Sequence, residues 1–240
     1  DGAYDVHVVD LDGDGDLDIV SASGNDDTIA WYENDGAADP SWSAADIATS
    51  ADDVRGVHVA DMDGDGDLDI VSASVLDDTI AWYESNAADK NLDTDAVAGA
   101  DYTAASGTLT FDAGDTTATF TVPVLADSYP ENNETATMTL SSASNATLSD
   151  ATGTLTITDD DSISFTGTTI NQGKSDAARE VYLADMDSDG DLDIVVSSSR
   201  DNTVAWFEND GAANPGFSHA NIATNARGGA DVVVRDMDAD

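Results

Sequence analysis

The chain has 240 residues and carries 50 acidic against 7 basic side chains, a net charge of −43. That imbalance excludes nucleic acid and anionic membrane surfaces as partners, since both are bound through basic patches. There is no cysteine to form a disulfide, and no apolar run reaches membrane length, so direct membrane insertion is not expected.

In chain order, a β-branched run VHVVD at 6–10 leads into an acidic turn, DLDGDGDLD, at 10–18. LDIVSAS and DDTIAWYE follow, then a polar stretch NDGAADPS at 34–41 and a weaker run in which Trp42 precedes Ile47. Short β-branched and aromatic runs separated by Asp, Asn and Gly turns predict four strands. The series begins again at VHVAD (57–61) with DMDGDGDLD at 61–69, and a third time at VYLAD (181–185) with DMDSDGDLD at 185–193; a fourth turn opens as DMDAD at 236–240. The turns start at 10, 61, 185 and 236, so 61 − 10 and 236 − 185 give a 51-residue unit, while 185 − 61 gives 124, which is 73 more. Four strands per unit of this size is the pattern of a propeller blade.

The acidic turn has the chemistry of a hard-cation site. Carboxylates at positions 1, 3, 5 and 9, with a glycine at position 6 for the bend, offer an all-oxygen shell. In the first copy these are Asp10, Asp12, Asp14 and Asp18, with the Asp16 carbonyl in the position-7 role. Oxygen ligands without Cys or His favour calcium over zinc or copper, and magnesium prefers fewer protein ligands. An EF-hand is excluded, because its position 12 requires a bidentate Glu and here is Ser21, and because strands flank the turn.

The second unit runs through Glu84 and Ser85 and resumes at Phe165, the aromatic that precedes Ile170 as Trp42 precedes Ile47. The intervening segment shifts to Thr, Ala and Ser with period-two alternation at 107–111, 116–124, 134–142 and 152–158, which predicts an antiparallel sandwich.

DxDGDGDLDIV after a hydrophobic strand, with AWYEN downstream, resembles the FG-GAP/VCBS calcium-binding β-propeller repeats, relatives of the integrin α head. The resemblance implies one calcium per loop, held by Asp10, Asp12, Asp14, Asp16 and Asp18; by Asp61, Asp63, Asp65, Asp67 and Asp69; and by Asp185, Asp187, Asp189, Asp191 and Asp193. Ser188 stands at a non-ligand position where the other loops have Gly13 and Gly64, and is expected to be harmless there. The fourth loop lacks its glycine and last carboxylate and is not counted. The stretch from DYTAASGTLTF to TITDDD resembles a Calx-beta domain, which implies Asp101, Asp127, Glu131, Asp159, Asp160 and Asp161 as further calcium ligands.

The expected fold is therefore all-β: a partial, open β-propeller of about three four-stranded blades with an inserted Ig-like β-sandwich. Residues 1–85 and 162–240 form the repeats (blade 1 about 1–55; blade 2 about 56–85 plus 162–179; blade 3 about 180–230; a fourth begins at 231–240), and 86–161 form the Calx-beta-like insert. The chain starts inside one repeat and stops inside another, so it is expected to be part of something longer.

No enzyme activity is expected. His7 and His58 share one repeat position with Tyr182 and Val233, an exchange a catalytic base would not tolerate, and His219 sits in a turn-rich outer segment without a partner. The recurring Trp31/Tyr32, Trp82/Tyr83 and Trp206/Phe207 are expected to pack between blades. The reading is a calcium-binding, secreted or cell-surface adhesion module, of bacterial origin, whose partner is a protein or glycan on a cell surface or matrix. The alternatives are an accessory region of a large secreted hydrolase or lyase, and an architectural spacer.

Overall fold

A computed structural model describes residues 2–86, 95–126, 133–159, 161–171, 175–228 and 231–235. Among the described residues all regular structure is β, in four antiparallel sheets with no helix and no closed barrel. The chain divides into two compact units, Asp1–Lys90 with Ile163–Asp240, and Asn91–Ser162.

In the first unit, β1 (Ala3–Val9), β2 (Asp18–Ser23), β3 (Thr28–Asn34) and β4 (Trp42–Ala48) form a meander in that order. The next meander begins with β5 (Val54–Ala60), β6 (Asp69–Ser74) and β7 (Thr79–Ser85). In the second unit β8 (Glu134–Thr139) pairs with β9 (Thr152–Ile157). Back in the first unit, β10 (Phe165–Thr169) completes the second meander, with Phe165 opposite Ser85. The third meander is β11 (Ala178–Ala184), β12 (Asp193–Ser198), β13 (Thr203–Asn209) and β14 (Phe217–Ala223).

Local chemistry explains the repetition. The turn between the second and third strand of each sheet needs one left-handed residue and places Asp27, Asp78 or Asn202 there, at φ 57°, 55° and 57°. Asp and Asn tolerate that region better than other non-glycine residues. Each long acidic connection joins the first and second strands, so all three acidic loops leave the same corner of their sheets.

The apolar faces meet between successive sheets. Val20, Ala22 and Ile29 of the first sheet pack with Val57, Val59 and Ile70 of the second, all buried. On its other face the second sheet sets Val71, Ala73, Ile80 and Trp82 against Val181, Leu183, Ile194 and Phe207 of the third. Trp31 and Tyr83 join the first cluster and Trp82 and Phe207 the second, so these four repeat aromatics lie in the packing between sheets, whereas Tyr32 and Trp206 belong to neither cluster.

Two expectations need correction. In the Asn91–Ser162 unit only two of the four expected strands form among the described residues, β8 and β9. The runs at 107–111 and 116–124 have the right alternation, but Phe111 and Phe120 remain 56% and 53% exposed, and only an isolated bridge, Tyr102 with Val124, touches them. Alternation gives a strand only where a neighbouring ladder satisfies its backbone. His219 is likewise not in a turn: it lies on β14 opposite Phe207, with ring centroids 5.0 Å apart.

Candidate metal centres

Each acidic loop is a chain of carboxylates folded back on its own amides. In the second loop Asp61 accepts the Gly64 N–H on Oδ1 (2.8 Å) and the Gly66 N–H on Oδ2 (3.1 Å). Asp63 accepts from Asp65 N (3.3 Å), and Asp65 from Asp67 N (2.9 Å). The first loop repeats the last two bonds from Asp12 and Asp14, and Asp185 and Asp189 of the third play the roles of Asp61 and Asp65. Gly66 sits at φ 104°, and Gly15 and Gly190 at 100° and 106°, which only glycine adopts without strain.

The folding brings three groups of carboxylate oxygens within 4.8 Å of one another: Asp10, Asp12 and Asp14; Asp61, Asp63 and Asp69; Asp185, Asp187 and Asp193. Asp18, Asp65 and Asp189, also expected as ligands, are not in these groups. Asp16, Asp67 and Asp191 are not brought in either. The Asp16 carboxylate instead runs against the loop after β3, where a Cβ on Gly36 would stand 2.1 Å from its Oδ2; Asp191 meets Gly211 in the same way. In these two loops the position-7 side chain is thus a wall of the loop.

The position-9 aspartates have a second task that spacing alone did not reveal. Asp69 is buried, and accepts Met62 N on Oδ2 (3.0 Å) and Ser85 N on Oδ1 (2.9 Å), tying the start of the loop to the end of β7. Asp18 makes the same pair of bonds to Leu11 and Asn34, and Asp193 to Met186 and Asn209.

Electrostatics make the cation useful. Burial, with the like charges of Asp14, Asp18 and Glu33, pushes the Asp12 carboxyl up to about 6. Burial lifts Asp69 to about 7 against the bonds from Ser85 and Met62. Asp63 and Asp187 rise for the same reason, each facing neighbouring carboxylates that include Glu84 and Glu208 respectively. Glu33, Glu84 and Glu208 are therefore part of each site's field. Their signal in the sequence was recurrence at one repeat position, directly after the aromatic pair.

The residues fit a hard cation. All donors are oxygens, and Asp10 Oδ1 is buried without a hydrogen-bond partner among the described residues, a vacancy in its bonding that a cation would fill. Ser188, expected to be harmless, adopts φ 65° where Gly13 and Gly64 have 78° and 76°, so the position is strained for a serine even though it is not an expected ligand position.

The other expected sites stand differently. Asp101 is buried and accepts the Val97 N–H. Asp159 accepts from Asp161 N (3.2 Å), and its own amide donates to Asn133 (3.0 Å). These three carboxylates form no group comparable to the loops among the described residues. Asp127, Glu131 and Asp160, like the fourth acidic turn at 236–240, lie outside the described residues. Glu134, buried at the start of β8, is a carboxylate the sequence reading did not single out. His7, His58 and Tyr182 stack across β1, β5 and β11 with centroids 4.8 and 5.6 Å apart, and burial lowers the pKa of both histidines.

The FG-GAP-like repeat model matches residues 10–72 and 185–240, and the Calx-beta domain model matches residues 84–161. No curated protein matches the chain.

Proposed function

We propose, for a chain that belongs to the FG-GAP-like repeat proteins and carries a Calx-beta domain between its repeats, a calcium-stabilised, non-catalytic interaction module that works in adhesion outside the cell. The observation that carries this is that at one corner of each of three equivalent sheets the aspartates at loop positions 1 and 3 come together with a third carboxylate of the same loop, from position 5 in the first loop and position 9 in the other two. In this reading the three meanders are successive blades of an open propeller, and each acidic loop holds one calcium ion. Asp10, Asp12, Asp14 and Asp18 and their counterparts supply side-chain oxygens, with the position-7 carbonyl beside them. The ion favours the ionised form of Asp12 and Asp69, which burial, with a smaller share from neighbouring carboxylates, otherwise raises.

The partner in this reading is a protein or glycan on a surface or matrix. Among the described residues no helix is long and apolar enough to cross a membrane. The role as an accessory region of a secreted hydrolase or lyase differs only in what the module is attached to. The test is thermal unfolding with and without chelator. A ligand confined to the folded form and present at about ten times its dissociation constant adds about 1.4 kcal/mol per site. Excess EGTA is expected to lower Tm by many degrees and added calcium to restore it; an unchanged melt contradicts the reading. A glycan and matrix-protein binding screen run in calcium and in EGTA then tests adhesion separately.

A further inference from the structure

The repeat tryptophan has a polar atom that the packing between sheets does not use. Trp31, Trp82 and Trp206 hold equivalent places on β3, β7 and β13, opposite Val20, Val71 and Val195. In all three the indole Nε1 is buried and has no hydrogen-bond partner among the described residues. A buried unsatisfied donor is costly, and its recurrence in every repeat calls for an acceptor.

The register names one. Asp69 lies two residues before Val71 on β6, on the same face, which makes it the diagonal neighbour of Trp82 and within reach of an aromatic side chain. Asp18 stands in that relation to Trp31, and Asp193 to Trp206. A carboxylate has about four lone-pair sites. On Asp69 two are taken by Met62 N and Ser85 N, which leaves one for a cation and one for the indole.

We infer that the repeat tryptophan is a positioning residue for the metal loop: its indole N–H closes on the position-9 aspartate when a cation occupies the loop, and so links the site to the packing between sheets. The inference rests on the calcium reading above. Trp82 is a fully buried member of the cluster between the second and third sheets, so a cation that draws Asp69 and Trp82 together also tightens that interface. Partners of metal ligands commonly govern affinity by about 10- to 100-fold.

The experiment uses the whole chain labelled with nitrogen-15. It has 4 tryptophans, and the fourth, Trp42, is 45% exposed on β4 and serves as an internal reference. On titration with calcium chloride the indole proton resonances of Trp31, Trp82 and Trp206 are expected to move downfield and exchange more slowly with solvent, while that of Trp42 stays. Trp82→Phe, which keeps the ring but removes the donor, is expected to weaken one of three calcium sites by about 10-fold or more. Ile80→Val, a change in the same cluster with no donor involved, leaves affinity within about twofold. Calcium uptake at three sites with all indole resonances unmoved overturns the inference, as does unaltered affinity in Trp82→Phe. If that variant does not fold, the resonances of the unmodified protein decide alone. No uptake at all overturns the calcium reading and the inference together, which separates the two failures.

Discussion

Ser188 is the residue at which the third acidic loop departs from its two companions. It holds φ 65°, a region that costs a non-glycine residue roughly 1 kcal/mol. Ser188→Gly is therefore expected to stabilise the chain by about 0.5–1 kcal/mol, read as a rise in denaturation midpoint; a fall contradicts the strained assignment. Asp69 gives the pH test. Its ordinary value is 3.8 and its folded value without a cation is about 7. Between these the folded chain keeps a proton that the unfolded chain has lost, so the contribution of Asp69 to stability falls as pH rises through that window. In chelator, the stability of the unmodified protein relative to Asp69→Asn is expected to decrease from pH 4 to 7, a window set by those values. With calcium bound, Asp69 is ionised in the folded state and the decrease disappears. A difference independent of pH in chelator contradicts this. The loop carboxylates were legible because their spacing is local: Asp10, Asp12 and Asp14 are set by one tight turn. The double bond of Asp18 was not, because its second partner, Asn34 N, is 16 residues away and is chosen by sheet register.

At the scale of elements, equivalent strands differ by what lies against them. Val6 and Val57 hold the same place in β1 and β5, yet Val6 is 56% exposed and Val57 is 3% exposed, because only β5 has a preceding sheet packed on it. Val57→Ala is expected to cost about 2 kcal/mol, from the lost methyls and the cavity they leave. Val6→Ala is expected to change stability by less than about 0.5 kcal/mol. Equal losses in urea unfolding would show that the inter-sheet cluster is not what orders these strands. The strands of the repeats were readable because pattern and partner mostly coincide: except for β7, whose partner β10 returns after the insert, each run is followed at once by a run it pairs with. The runs around Phe111 and Phe120 show the limit, since alternation specifies a face but not the strand that will lie beside it.

For the whole molecule, the 51-residue spacing is realised as three meanders of the same order, with the second completed by a strand, β10, that arrives only after the segment matched by the Calx-beta model. Such a return costs little beyond loop closure, which grows slowly with length. The net charge of −43 sets the energetic problem, since three divalent ions neutralise six charges at most. Their effect therefore comes from where they sit, among carboxylates such as Asp12 and Asp69 that are raised by burial. The central claim is that the three aspartate loops fold around calcium. Isothermal titration of the metal-free chain with calcium chloride tests it most directly: heat and uptake of three ions per chain are predicted, whereas no uptake at millimolar calcium would contradict the account.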